Sequence, residues 1–496
     1  MVGQNDFRYW SLINKFINLA KIFWNRVMKR LCMILATLSL SAAFSVAVGA
    51  GYRIQLNVKN MKNEPAYLAY HMNGKTYSRD TLQLDGKGNG VFSGKDKLEE
   101  GIYIIYFNAE KYFDLMVGSD QNIKVSVDTT KIDEAVVSGA AESTEFQNLR
   151  KFLIQMNTER IDLQKQYKDK KIDSTKFYDT FDKMTDKVMK YQNDMIDRNK
   201  GNFLGAYVKA TIPVETPSFE EVPDSIRAFT RYQYFKHHYF DNVSLCDPRF
   251  LRTPFFPSMV DGFISKHVLQ DPDTLAEAAI ELIEKSKCDT LTFQVMTSKM
   301  INYGISSKMM GMDKLWLRLA EKYYFSGQAK WADSAWVESL RKEAKKIRYN
   351  LVGDKAYMLT MLDSTNKVSK LSDIKAECVL VYFFEPSCGH CKKTTPVLHD
   401  SVYTKWKDKG FEVFACYTQT DRDEWMKFVE KNHMQDWINV WDPYRESYFW
   451  EFYDTSATPG VYLLNKDRKI IAKKIDMQTL DMILEEELVK RKAKKN

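Results

Sequence analysis

The 496-residue sequence has few of the residues that build metal centres, only seven cysteines and seven histidines. Cys32, Cys246, Cys288, Cys378 and Cys416 stand singly and far apart, and His399 and His433 have no neighbour at a ligand spacing. Structural zinc sites take their ligands as two closely spaced pairs, so this scatter argues against one. His237 and His238 are adjacent, and neighbours on a helix point in different directions, whereas shared ligands sit three or four residues apart. A basic stripe is missing too. The formal net charge is +8 and the basic residues are dispersed, except over 490–495. That tail reads as a solvated helix end, where cations suit the dipole. With no recognisable module beside it, nucleic acid is not an expected partner. Beyond residue 50 no apolar run is long enough to cross a bilayer, and no register repeats cleanly enough for a solenoid.

The N-terminus is richer. Met28-Lys29-Arg30 leads into an apolar run over 31–40 and then small residues to Ala50. Basic, apolar, then small is the layout of a secretory leader. Ser45-Val46-Ala47 or Val48-Gly49-Ala50 suits the peptidase, and Cys32 lies too early to accept a lipid. Residues 1–27 carry Phe7, Trp10, Phe16 and Trp24 among basic residues. They read as an upstream start ahead of a true start at Met28, or as an uncleaved amphipathic anchor. The expectation is a periplasmic or otherwise extracytoplasmic protein, soluble or at most membrane-associated.

Residues 51–137 alternate with period two. Ile54, Leu56 and Val58, then Ile123, Val125 and Val127, are spaced by polar residues. Asn73-Gly74, Asp85-Gly86, Asn89-Gly90 and Gly118 mark turns. Short alternating strands with such turns predict an antiparallel β-sandwich. After Thr144 the spacing becomes three-four. Phe146, Leu149, Leu153, Met156, Leu163 and Tyr167 form one stripe; Phe177, Phe181, Met184, Val188, Tyr191 and Met195 form another. They predict two amphipathic helices packed through their apolar faces, with Asp173 or Ser174 capping the second. Helical patterning continues over 274–287, 313–325 and 333–346, broken earlier at Pro213, Pro217 and Pro223 and at Pro248, Pro254 and Pro257. The expected division is an extension and leader over 1–50, a sandwich over 51–137, a mostly α-helical region over 138–345, and an α/β domain over 346–496.

That last domain carries the chemistry. An apolar run, Cys378–Phe384, passes through Glu385-Pro386-Ser387 into Cys388-Gly389-His390-Cys391. A buried strand that turns and delivers two cysteines to the first turn of a helix places them against unpaired N–H groups and the positive end of the dipole. Both favour the thiolate, the species that attacks disulfides. Further on, Thr458-Pro459-Gly460 precedes an apolar strand over 461–464.

From about Leu351 onward the sequence resembles the TlpA-like extracytoplasmic thiol-disulfide oxidoreductases, which have the thioredoxin fold. The matching features are Tyr382-Phe383-Phe384, the Cys388–Cys391 motif, Thr458-Pro459 and the closing strand over 469–475 with its terminal helix. The resemblance implies that Pro459 is cis and sits against the dithiol, that Cys388 attacks and that Cys391 resolves. It also implies protein substrates, a membrane electron-transfer protein to recycle the pair, and no metal or organic cofactor. The intervening Gly389-His390 resembles protein disulfide isomerase and hints at a less reducing couple. His390 is expected to support the Cys388 thiolate.

One position departs from the family. Typical thioredoxins have a buried Asp six residues before the first cysteine, and Tyr382 stands there. Glu385 reads as a substitute proton relay or as a solvated loop acid. The stretch from Asp80 to Phe92 resembles, by pattern and order, the small β-domain ahead of thioredoxin modules in exported Bacteroidetes proteins. Pairing of Cys246 with Cys288 is left open, and Cys378 and Cys416 read as inert core residues. The competing reading of the whole is a periplasmic binding or scaffold protein that uses a thioredoxin fold as an interaction module.

Overall fold

The computed structural model describes residues 51–490. The expected leader, residues 1–27 and the tail beyond Lys490 lie outside the described residues. Among the described residues no helix is long and apolar enough to cross a membrane. The chain forms two compact units. One runs to Val268 and includes Glu284–Val295; the other is Leu269–Ile283 with Met296 onward. The helical region expected over 138–345 is thus shared between them.

The first unit begins with eight strands. They are β1 (Tyr52–Lys59), β2 (Pro65–Met72), β3 (Lys75–Gln83), β4 (Asn89–Gly94), β5 (Gly101–Asn108), β6 (Lys111–Val117), β7 (Asn122–Asp128) and β8 (Val136–Ser138). They build two four-stranded sheets, ordered β4-β1-β7-β8 and β3-β2-β5-β6. Ile54, Leu56 and Val125 of one sheet share a core with Leu68, Ile105 and Leu115 of the other. The alternation is therefore that of strands buried on one face. Strand direction escapes such a pattern: β1 lies parallel to β7, while its other neighbour β4 is antiparallel.

Helices α1 (Ala141–Lys168) and α2 (Ser174–Arg198) follow. Asp173 caps α2 by accepting from the Lys176 amide at 2.8 Å. Met156 and Leu163 of α1 pack against Phe177, Phe181, Met184 and Val188 of α2, so the two stripes meet. At its start α1 is tied down by Glu142, which is buried. Its carboxylate accepts from the amides of Ser119 and of Leu204, in α3 (Phe203–Thr211), each at 3.2 Å. The helices continue as α4 (Asp224–His238), α5 (Phe256–Gly262), α6 (Pro272–Lys285), α7 (Thr290–Ser306), α8 (Asp313–Leu319) and α9 (Ser334–Ile347). Cys246 and Cys288 form a disulfide with their Cα atoms 5.6 Å apart, inside the usual span for such a bridge. This resolves the pairing left open by the sequence.

The second unit is built on a seven-stranded sheet. Its strands are β9 (Thr360–Asp363), β10 (Val368–Lys370), β11 (Cys378–Phe384), β12 (Phe411–Tyr417), β13 (Ile438–Trp441), β14 (Gly460–Leu464) and β15 (Ile470–Lys473), in the order β10-β9-β13-β12-β11-β14-β15. Helices α10 (Gly389–Val397), α11 (Arg422–Lys431), α12 (Phe449–Phe452) and α13 (Met477–Glu485) connect or follow them. All seven residues of β11 are buried. Leu380, Tyr382 and Phe384 enter one core cluster while Val379, Val381 and Phe383 enter the other. Burial on both faces explains the unbroken apolar run, and each such side chain contributes about 1.5–3 kcal/mol. The parallel trio β11, β12 and β13 ends in register, with Phe384 beside Tyr417 and Tyr417 beside Trp441. Their C-terminal loops therefore leave from one end of the sheet.

Lys473, the last residue of β15, is buried. Its Nζ donates to the backbone carbonyl of Asn350 at 2.8 Å and to its side-chain oxygen at 3.0 Å, and it pairs with Asp313 of α8. Asn350 also donates to the Phe452 carbonyl at 3.0 Å. The edge of the sheet is thereby joined to the ends of two helical segments through one buried cation.

Candidate active site

Strand β11 ends at Phe384, and four residues later the chain enters α10 with Cys388 as its N-cap. The capping group is the sulfur itself, which accepts from the Cys391 amide at 3.4 Å. A thiolate in this position takes the role usually filled by a Ser or Asp oxygen. Cys388 is half-buried and Cys391 fully buried. Pro396 interrupts the helix, which passes into a π-type turn at Leu398–Tyr403, as expected where a residue lacks its N–H.

Thr458 closes the site from the other side. Its carbonyl lies 3.2 Å from the Cys388 sulfur, and its bond to Pro459 is cis. Cys388, Cys391, Thr458 and Pro459, 71 positions apart at their extremes in the sequence, thus come together at one helix start.

The two thiols have opposite acidities. Burial pushes Cys388 up, but hydrogen bonds from the Thr458 side chain, the Cys391 amide and thiol, and the His390 amide outweigh it and hold the thiol below its ordinary value. Burial pushes Cys391 up to about 12, despite hydrogen bonds from the Glu385 amide and the Thr458 side chain; the neighbouring Cys388 pushes in the same direction as burial. One sulfur is prepared as a nucleophile and the other is kept protonated.

The supporting positions sort themselves by atom. His390 is exposed, and its backbone amide is the group that reaches Cys388. Gly389 is not required by crowding, since a Cβ there meets nothing within 4 Å. Glu385 is half-buried and its carboxylate accepts from the Thr418 hydroxyl at 3.1 Å.

Two residues were not singled out by the sequence. Thr395, four residues after Cys391 on the same face of α10, is fully buried with its hydroxyl 2.9 Å from that of Tyr382. Thr418, just past β12, holds Glu385. The i, i+4 spacing from Cys391 was the available signal for Thr395; nothing local marked Thr418. Burial holds the Tyr382 phenol well above its ordinary value, with Thr395 offsetting part and the two cysteines adding to it. Tyr382 is therefore neutral, and no carboxylate stands where the usual buried Asp would be. Among the described residues no group of three or more His, Cys, Asp or Glu side chains is arranged to hold a metal.

A parallel-centred sheet with a dithiol at a helix start and a cis proline beside it defines a thioredoxin-fold domain. Residues 376–470 match the family described as thioredoxin-like. The chain belongs, through this C-terminal region, to the thioredoxin-like family, in keeping with its likeness to TlpA-like proteins. Two further stretches, 52–146 and 208–354, match families described as domains of unknown function, DUF4369 and DUF5106. No curated protein matches the chain. Among solved structures, a domain of a possible thiol-disulfide isomerase from Cytophaga hutchinsonii is 35% identical, covering 29% of this chain and 97% of its own, with a TM-score of 0.27. The thioredoxin domain of a thiol-disulfide oxidoreductase from Bacteroides vulgatus is 28% identical, covering 28% and 97%, with a TM-score of 0.26. A thioredoxin-like protein from Bacteroides caccae is 20% identical over 55% of this chain and 97% of its own, with a TM-score of 0.41.

Proposed function

We propose that the protein is an exported thiol-disulfide oxidoreductase acting on protein disulfides through Cys388 and Cys391. The observation that carries this reading is geometric: the Cys388 sulfur caps the start of α10 and lies 3.2 Å from the Thr458 carbonyl, with Cys391 buried one turn behind it. The Cys388 thiolate attacks one sulfur of a substrate disulfide, forming a mixed disulfide and releasing the other sulfur as a thiolate that takes a proton from water. Cys391 then attacks the Cys388 sulfur, and its proton passes to the departing substrate sulfur. Two electrons move from the dithiol to the substrate, leaving Cys388–Cys391 as a disulfide. A membrane electron-transfer protein, the partner implied by the family, returns the pair to its reduced form. Run backwards, the same steps oxidise a substrate dithiol. No metal or organic group is needed at any step.

Export is supported by the leader-like layout over 28–50 and by the Cys246–Cys288 disulfide, a bond that persists outside the cytoplasm.

The test is a Cys391→Ser variant. It is expected to accumulate covalent adducts with disulfide-bearing proteins, resolved by gel electrophoresis without reductant and released by dithiothreitol. Absence of adducts under conditions where the wild type turns over would sink the role given to Cys391. The pH dependence is a second expectation. Alkylation of Cys388 in the reduced protein should reach half its maximal rate below pH about 8.5, the ordinary cysteine value, because its folded pKa is depressed. The reduced state then gains stability from Cys388 above that ordinary value and loses it as pH falls through the folded one. For Cys391 the sign reverses: its contribution is present below about 8.5 and is lost as pH rises toward about 12. A rate-versus-pH curve centred at or above the ordinary value would contradict the assignment of Cys388 as the nucleophile.

A further inference from the structure

The end of the sheet that carries the dithiol also carries a loop with no part in the exchange steps. It leaves β13 after Trp441, in register with Phe384 across two strand spacings, or roughly 10 Å. Its continuation through α12 returns to Thr458, the residue touching Cys388. Over 442–448 the backbone is pinned. The buried Asp442 carboxylate accepts from the Glu446 amide at 3.0 Å, the Ser447 amide at 2.9 Å and the Ser447 hydroxyl at 2.6 Å. The Arg445 guanidinium lies 4.4 Å from the centre of the Trp450 ring. Arg445 and Tyr448 both take left-handed backbone, with φ of 57° and 53°, which a side-chain-bearing residue adopts only when its surroundings hold it there.

This held loop presents two tyrosines to solvent. Tyr444 is 73% exposed and Tyr448 55%. Single exposed aromatics need no explanation. A pair on a pinned and strained loop at the reactive end of the sheet does, because slack cannot account for their exposure. Tyrosine offers a large, stiff contact area with a polar tip, suited to varied peptide side chains. A macromolecular disulfide that reaches the half-buried Cys388 must lay its flanking chain across this end of the sheet. An extended segment of about six residues spans roughly 20 Å, about twice the separation of the ends of β11 and β13 from which the dithiol and the loop depart.

We propose that Tyr444 and Tyr448 form a docking platform for an extended polypeptide flanking the disulfide presented to Cys388, so that the protein prefers peptide-borne disulfides over small ones. This rests on the oxidoreductase reading above.

The test uses the full chain in its reduced form and two probes with the same leaving group. One is an extended peptide of about six residues with one cysteine as its thionitrobenzoate mixed disulfide; the other is that mixed disulfide of free cysteine. The variant is Tyr444→Ala with Tyr448→Asn, asparagine being tolerant of left-handed backbone. The ratio of kcat/KM on the peptide to kcat/KM on the small probe is expected to fall about tenfold, through KM for the peptide, the scale of two lost aromatic contacts. Tyr444→Phe with Tyr448 intact should keep the ratio, as should Met482→Ala, an equally exposed apolar residue on α13. A double variant whose ratio stays within about twofold of wild type, the scatter of ordinary surface changes, overturns the platform while leaving the oxidoreductase intact. A wild type inert toward both probes overturns the underlying reading and the platform with it.

Discussion

A Cys388→Ser variant is expected to lose disulfide reduction by roughly a thousandfold or more, the scale on which removal of a covalent nucleophile acts. A serine hydroxyl is not ionised near neutral pH, so the amides of His390 and Cys391 and the Thr458 side chain would have no anion to stabilise. The contrast with Cys391 is informative. Without Cys391 the first displacement still occurs and stalls; without Cys388 it does not begin, since Cys391 is fully buried and protonated. Stopped-flow measurement of thiol release, with one equivalent of substrate disulfide, separates the cases. A single burst is expected from the Cys391 variant and none from the Cys388 variant. A burst of wild-type amplitude without Cys388 would mean that the nucleophile lies elsewhere.

The second large effect is on stability. Lys473→Met should destabilise the C-terminal unit by about 3–5 kcal/mol, the cost of breaking a buried ion pair from one side. The methionine fills the space but leaves the Asp313 carboxylate and the two Asn350 oxygens without their cation. Burial lowers the Lys473 pKa while Asp313 raises it, with a net lowering, so the partners offset part of the cost of burying the ammonium. Replacing both ends, Lys473→Met with Asp313→Leu, should recover much of the loss, because no unpaired charge then remains. The measurement is urea unfolding followed by tryptophan fluorescence. A shift in midpoint equivalent to under about 1 kcal/mol for the single variant, the range of a solvated surface pair, would show that Lys473 is not a lock.

How much of this was legible depended on whether the information was local. The dithiol could be read because its chemistry is packed into four residues flanked by an apolar strand and a helix start. The second half of the site was legible because a threonine and proline ahead of an apolar strand are a compact signal. The stripes of α1 and α2 were readable from helical spacing, and Asp173 from its place between them. Strand direction was not: the parallel pairing of β1 with β7 leaves no trace in a period-two pattern. Lys473 was equally hidden. In Lys473-Lys474 the first lysine closes β15 and is buried while the second, just past the strand, is exposed; the partners that decide it lie 123 and 160 positions earlier. Tyr382 was seen as a departure, yet Thr395, which engages its hydroxyl, became evident only once strand and helix were packed together. Cys246 and Cys288 failed for the same reason, since a Cα separation is a property of the fold.

That disulfide carries a consequence for biogenesis. If the Cys388–Cys391 pair cycles as proposed, the same polypeptide holds one bond that stays oxidised and one pair that opens and closes. Burial does not separate them, since Cys288 is exposed and Cys246 and Cys388 are both half-buried. The proposed cycle therefore requires the two couples to differ in potential, with the Cys246–Cys288 bridge the harder to reduce, so that one reductant can open the pair at the helix start and leave the bridge closed.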